Sequence, residues 1–257
     1  MSSPPPPAGA TPWRARRTGC PPGSWPEPWR AADGLAVVAE QQTGGRGRRG
    51  RSFVSPAGQG LYLSVLLRPR CPLEEVSALT AWTAVAVCNA VERVCGVRPG
   101  IKWPNDVILD GRKLCGILTE LELEAESAAL RHVVVGVGIN LTQTAADFGP
   151  EVAPVAVSLA QALGRAPRRA EMAAAVLAAL DELYAAFPAE RAAWLERYRA
   201  DCLTLGRTVR LLRAGGEEEA FAEAVDDTFA LVVRRADGSR EAVSSGEVSV
   251  RGLLGYV

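Results

Sequence analysis

Lysine and histidine are nearly missing from this chain. Of 29 basic residues only Lys102 and Lys113 are lysines, and His132 is the single histidine. One histidine leaves no room for a histidine-based metal cluster or a Ser-His-Asp triad. The six cysteines (Cys20, Cys71, Cys88, Cys95, Cys115 and Cys202) contain no C-x-x-C pair. In a chain of 257 residues they read as reduced, mostly buried thiols of a cytoplasmic protein, not as a disulfide framework. No apolar run approaches the roughly 18 residues of a membrane span, and no basic segment followed by an apolar stretch marks a signal peptide. The formal charge is zero, which argues against a nucleic-acid binder or a polybasic membrane ligand. The absence of G-x-x-x-x-G-K-[ST] excludes a P-loop.

The remainder has the balance of a globular protein, 48% apolar and 23% charged. Nine of the eighteen prolines fall in residues 1–28, so residues 1–30 read as a disordered leader. Leu35 to Glu40 and Leu61 to Leu67 read as strands. Apolar residues at spacings of three and four predict one long helix from Leu73 to Val94, ending at Gly96. Asp110-Gly111 between two strand-like runs predicts a hairpin, with Ile108 facing Lys113. Strands are expected over Lys113 to Leu123 and His132 to Leu141, and helices over Ala156 to Leu163, Arg169 to Phe187 and Ala189 to Asp201. From about residue 204 five short β-type runs (Thr208–Leu212, Ala220–Val225, Ala230–Arg234, Glu241–Ser244 and Val248–Arg251) suggest a small barrel. The reading is an α/β domain over 31–203 and a β-barrel over 204–257.

Three segments carry chemistry. Gly45 to Gly50 matches G-x-G-x-x-G, but Pro56 and a glycine turn follow where a dinucleotide fold needs a helix. Four arginines in residues 46–51 can wrap an anion, and equally can form a solvated loop or touch nucleic acid. Lys102-Trp103-Pro104-Asn105-Asp106 is more specific. Where arginine is the default cation, two lysines eleven positions apart call for compact point charges, and the hairpin lets both approach one pocket from adjacent strands. Gly136 and Gly138, at period two in an apolar strand, mark either a close approach by a ligand or a β-bulge. Asn140 ends that strand, whereas His132 is read as a strand-edge residue without a role. Arg46, Arg48, Lys102 and Lys113 together suit an anionic phosphate substrate.

Gln42 to Arg51, Lys102 to Asp106, Lys113 to Leu118 (Lys-Leu-Cys-Gly-Ile-Leu) and Gly136 to Leu141 (Gly-Val-Gly-Ile-Asn-Leu) resemble the biotin protein ligases in order and spacing. The resemblance runs from about Leu35 to Val257. It implies a mixed-sheet catalytic domain akin to class II aminoacyl-tRNA synthetases and lipoate ligases, with a C-terminal SH3-like barrel. It also implies an activity: ATP and biotin give biotinyl-AMP, and biotin then passes to a lysine on the biotin carboxyl carrier domain of a carboxylase. ATP with Mg²⁺ would be co-substrate, with no protein-held metal and no nucleic-acid or membrane partner, and a homodimer is compatible. Gln42 corresponds to the biotin-contacting glutamine, Arg46-Gly47-Arg48 to the loop closing over biotin and the adenylate, and Gly116 to the same pocket. Lys113 corresponds to the lysine beside the biotin carboxylate and α-phosphate. Lys102 and Asp106 correspond to positions near the phosphates and the incoming lysine, so Lys113, Arg48, Lys102 and Asp106 are the catalytic candidates. Trp103, Asn105 and Asn140 would lie on the nucleotide side.

The family's Ser-Thr-Asn segment, some twenty residues before Glu40, has no counterpart in this proline-rich region, which implies weaker biotin binding. With no helix-turn-helix pattern upstream, the chain resembles the ligase-only form. Competing readings are a lipoate or octanoate transferase of the same fold, a homologue that has lost catalysis, and a basic-loop nucleic-acid binder.

Overall fold

A computed structural model describes residues 15–18, 31–47, 55–213, 216–244 and 249–252. The larger sheet has seven strands in the order β1-β2-β3-β7-β6-β5-β4. They are β1 Ala15–Thr18, β2 Leu35–Ala39, β3 Gly60–Leu67, β4 Gly100–Lys102, β5 Asp106–Leu109, β6 Arg112–Leu123 and β7 Leu130–Asn140. Every neighbouring pair is antiparallel except β1 with β2.

Side chains alternate between the two faces of a strand, and one face of this sheet is largely apolar. Leu61, Leu63 and Val65 of β3 and Val133, Val135, Val137 and Ile139 of β7 join the main core. Helices α2 Ala78–Cys95, α5 Arg169–Ala186 and α6 Arg191–Asp201 complete that core. Trp82 of α2 is wholly buried, stacked on Trp194 at 4.9 Å and edge-on to Phe187 at 5.0 Å. Gly96 closes α2 at φ 74°, a left-handed position that glycine occupies without a Cβ clash.

Three sequence expectations need correction. The leader is not wholly unstructured, because Ala15–Thr18 adds an edge strand beside β2, with Thr18 opposite Ala39. The rest of residues 1–30 lies outside the described residues. The long helix expected from Leu73 is two helices, α1 Leu73–Val76 and α2, parted at Ser77, whose hydroxyl donates back to the Glu74 carbonyl. The helix expected from Ala156 begins only at α4 Leu159–Leu163. Val155 and Val157 are committed instead to backbone hydrogen bonds with Lys113, and a Ser158–Gln161 capping box starts the helix. A further short helix, α3 Ala145–Phe148, is capped by Thr144 and Asp147.

The second sheet contains β8 Thr208–Arg213, β9 Gly216–Val225, β10 Leu231–Arg234, β11 Arg240–Val243 and β12 Ser249–Gly252, in the order β11-β10-β9-β8-β12. Each of the five expected β-runs is a strand, and all pairings are antiparallel. Val209, Leu211, Ala222, Leu231 and Val233 form its interior, continuous with the main core.

Candidate active site

Asp110 and Gly111 both have positive φ, 50° and 71°, the backbone that a two-residue type I′ turn requires. The turn sets Ile108 opposite Lys113, as the spacing predicts. The two lysines are not on adjacent strands, however: β5 separates β4, which carries Lys102, from β6. Asp106 of β5 links them. It stands opposite Lys102 in register, and its Oδ1 is 2.7 Å from Lys113 Nζ. The pair is only partly exposed, 26% for Lys113 and 17% for Asp106.

The register runs one row across the sheet: Ala39, Tyr62, Gly138, Gly116, Asp106, Lys102. These positions alternate with core residues, so they lie on the face turned away from the helices. Two glycines in the middle leave the sheet without side chains for the width of two strands. Gly136, two residues along β7, extends this floor opposite Leu118. This strip without side chains, bounded in register by Tyr62 and by the Asp106–Lys113 ion pair, reads as a trough. Tyr62 lies over Gly60, where a Cβ would come within 2.7 Å of the ring. Its hydroxyl donates to the Pro56 carbonyl at 3.0 Å, and burial raises its pKa to about 12.

Lys113 is also fixed through its backbone. Its N–H donates to Val155 O at 2.8 Å, and its carbonyl accepts from Val157 N at 2.9 Å. The buried Asn140 amide donates to both Lys113 O (3.3 Å) and Val157 O (3.1 Å), and its oxygen accepts from Gln143. Asn105 is buried and donates to Ile117 O at 2.6 Å. Trp103 is buried and gives its indole N–H to Phe229 O at 3.0 Å. The three residues expected on the nucleotide side thus commit these side-chain donors to the protein itself.

Gln42 sits just beyond β2, its Oε1 accepting from Ser55 Oγ at 2.7 Å. Arg46 is exposed, and its guanidinium is 3.7 Å from Glu120, which alternates along β6 with Gly116 and Leu118 on the open face. The segment carrying Arg46 therefore comes to the same face of β6, beside Glu120. So exposed an ion pair contributes little to stability. Arg48 lies outside the described residues, as do residues 19–30. His132 is not at a strand edge. It is buried on β7, 3.4 Å from Glu122 and well along the strand from Gly138. Burial lowers its pKa, opposed by Glu122.

Sequence reasoning did not find Tyr62, whose role depends on cross-strand register, or the 155–157 segment, which resembles a helix start. Among the described residues no group of three or more His, Cys, Asp or Glu could hold a metal ion, and no helix is long and apolar enough to cross a membrane.

Residues 27–140 match the Biotin/lipoate A/B protein ligase family, and residues 204–251 match the Biotin protein ligase C terminal domain. The Biotin–[acetyl-CoA-carboxylase] ligase of Paracoccus denitrificans is 34% identical over 236 residues, covering 86% of this chain and 94% of that protein. The chain belongs to the biotin protein ligases of this family. The Bifunctional ligase/repressor BirA of Bacillus subtilis is 36% identical over 220 residues. That match covers 84% of this chain, which spans 66% of the Bacillus protein's length. Among solved structures, a biotin protein ligase from Aquifex aeolicus in complex with biotin and ATP superposes with a TM-score of 0.74 at 29% identity, covering 87% of this chain and 91% of that one. Family membership agrees with the two-sheet architecture and with the order of the four motifs.

Proposed function

We propose that this chain activates biotin with ATP and transfers it to a lysine on the biotin carboxyl carrier domain of a carboxylase. In the first step a biotin carboxylate oxygen attacks the α-phosphorus. The acyl–phosphate bond forms as the bond to pyrophosphate breaks. In the second step the ε-amine of the carrier lysine attacks the acyl carbon. An amide forms, AMP leaves and the amine loses a proton.

The observation carrying this reading is the glycine floor that ends at the Asp106–Lys113 pair. A trough without side chains accepts a flat ring and chain. An ammonium at its end meets the carboxylate and the α-phosphate, where negative charge gathers during attack. Asp106 holds that ammonium in place and, with Lys102, faces the phosphates and the incoming amine. Gln42 bounds the biotin end, Gly116 lies in the floor, and Arg46, Gly47 and Arg48 close over the adenylate, a reactive mixed anhydride that must be kept from water. Trp103, Asn105 and Asn140 shape the nucleotide side without reaching for the base. Mg²⁺ enters with the ATP phosphates as part of the substrate. Residues 31–203 form the catalytic unit, and the unpaired thiols of Cys71, Cys88, Cys95, Cys115 and Cys202 suit the cytoplasm.

Pyrophosphate–ATP exchange separates this reading from lipoate chemistry on the same fold. Exchange is expected to rise with added biotin and not with lipoate. Exchange driven by lipoate alone would move the protein to the lipoate branch.

A further inference from the structure

Trp103 lies between Lys102 and the Pro104–Asp106 turn, and both of its N–H groups point to the chain beyond α6. Its backbone N–H donates to Thr204 Oγ1 at 2.9 Å, and its indole N–H to Phe229 O at 3.0 Å. Cys202 forms a parallel bridge with Ile101, and Leu203 N donates to Ile101 O at 2.8 Å. Residues 202–204 thus act as one more edge beside β4.

Phe229 stands at φ 63°, a left-handed backbone that is strained for a bulky residue. The Asp226 carboxylate braces it: one oxygen accepts from Thr228 N (2.8 Å), Thr228 Oγ1 (2.7 Å) and Ala230 N (3.0 Å), beside the main-chain bonds from Phe229 N to Asp226 O and from Asp226 N to Ala230 O. The Phe229 ring lies edge-on to Tyr198 at 5.7 Å, and the Tyr198 hydroxyl donates to Pro104 O at 3.0 Å. The turn of the second sheet thereby grips Trp103 directly through the Phe229 carbonyl and packs against Tyr198 of α6, which holds Pro104, while Thr204 grips the segment at a third point.

We propose that Asp226 and Thr204 are positioning residues for adenylation: they hold Trp103, and through it set Lys102 and Asp106 against the nucleotide. This rests on the ligase reading above. Without Asp226, Phe229 relaxes out of its strained backbone and withdraws its carbonyl. The buried indole N–H then loses its partner, which buried donors rarely tolerate, and residues 102–106 loosen while the glycine floor stays as it was.

The test compares Asp226→Ala with Asp226→Asn in the full chain. Asparagine keeps an acceptor oxygen for the same donors and loses only the charge. Three quantities are measured: deuterium uptake across residues 101–107, kcat and KM for biotin-dependent exchange, and biotin affinity by calorimetry. Asp226→Ala should speed uptake at 102–106 and lower kcat about tenfold, a modest misplacement on the scale of catalytic geometry. Biotin affinity should stay unchanged, and Asp226→Asn should restore both readouts. Thr204→Val should repeat the Asp226→Ala pattern and Thr204→Ser should not, which keeps the test open if Asp226→Ala fails to fold. Unchanged uptake, an asparagine variant as impaired as alanine, or biotin affinity falling in step with kcat would overturn the proposal. A wild-type chain without biotin-dependent exchange would sink the ligase reading instead, and deuterium uptake would still decide the coupling.

Discussion

Replacing Lys113 with alanine is expected to slow biotin adenylation by about 10²–10³, the usual cost of removing one donor aimed at developing charge. Lys113 is the cation at the end of the glycine floor, held 2.7 Å from Asp106 and pinned at its backbone by Val155, Val157 and Asn140. Those backbone bonds survive the substitution, so the strand register should persist. The lost ion pair is partly exposed, which limits its part in stability. The expected signature is a large fall in kcat for exchange with little change in thermal midpoint. Arginine should rescue poorly, since a planar fork on a longer reach does not replace a compact ammonium. Near-wild-type exchange by Lys113→Ala would reduce the residue to the first turn of a hairpin strand.

Valine at Gly138 should weaken biotin binding while leaving the sheet folded. Gly138 is flanked in register by Tyr62 and Gly116, so a branched side chain there rises from the middle of the trough floor. Overpacking of this kind costs roughly 1–3 kcal/mol, which is about one to two decades of affinity. Valine favours strands, so thermal stability should hold or rise. Gly136→Ala is the matched control. A Cβ there meets only Leu118 O at 3.5 Å, an ordinary contact, and biotin affinity should survive. Unchanged biotin affinity in Gly138→Val, measured by calorimetry, would show that the floor is not where biotin lies.

Local chemistry makes the centre of this candidate site legible in the sequence. An Asp-Gly turn can close a hairpin in few ways, and that alone set Lys113 opposite Ile108. Period-two glycines in an apolar strand leave a close approach and a β-bulge both open in sequence, and the unbroken register at Gly136 to Gly138 removes the bulge. What stayed hidden depends on partners remote in sequence. Tyr62 is one aromatic residue in an apolar strand until register puts Gly138 beside it. The placement of Lys102 and Lys113 on either side of β5 follows from sheet order, which the hairpin alone does not set. Ala15–Thr18 lies among prolines with no apolar pattern, and its strand exists only because β2 offers an edge. Ala156 and Val157 read as a helix start in sequence because the role of this segment, clasping Lys113, is set entirely by β6.

Incubating this chain with ATP, Mg²⁺, biotin and an isolated carrier domain, and weighing the carrier by mass spectrometry, tests the central claim most directly. The account predicts a gain of one biotinyl group, located on a single lysine, dependent on ATP and absent with Lys113→Ala. A carrier whose mass is unchanged with wild-type enzyme, or one that gains lipoyl in preference to biotinyl when both acids are supplied, would contradict it.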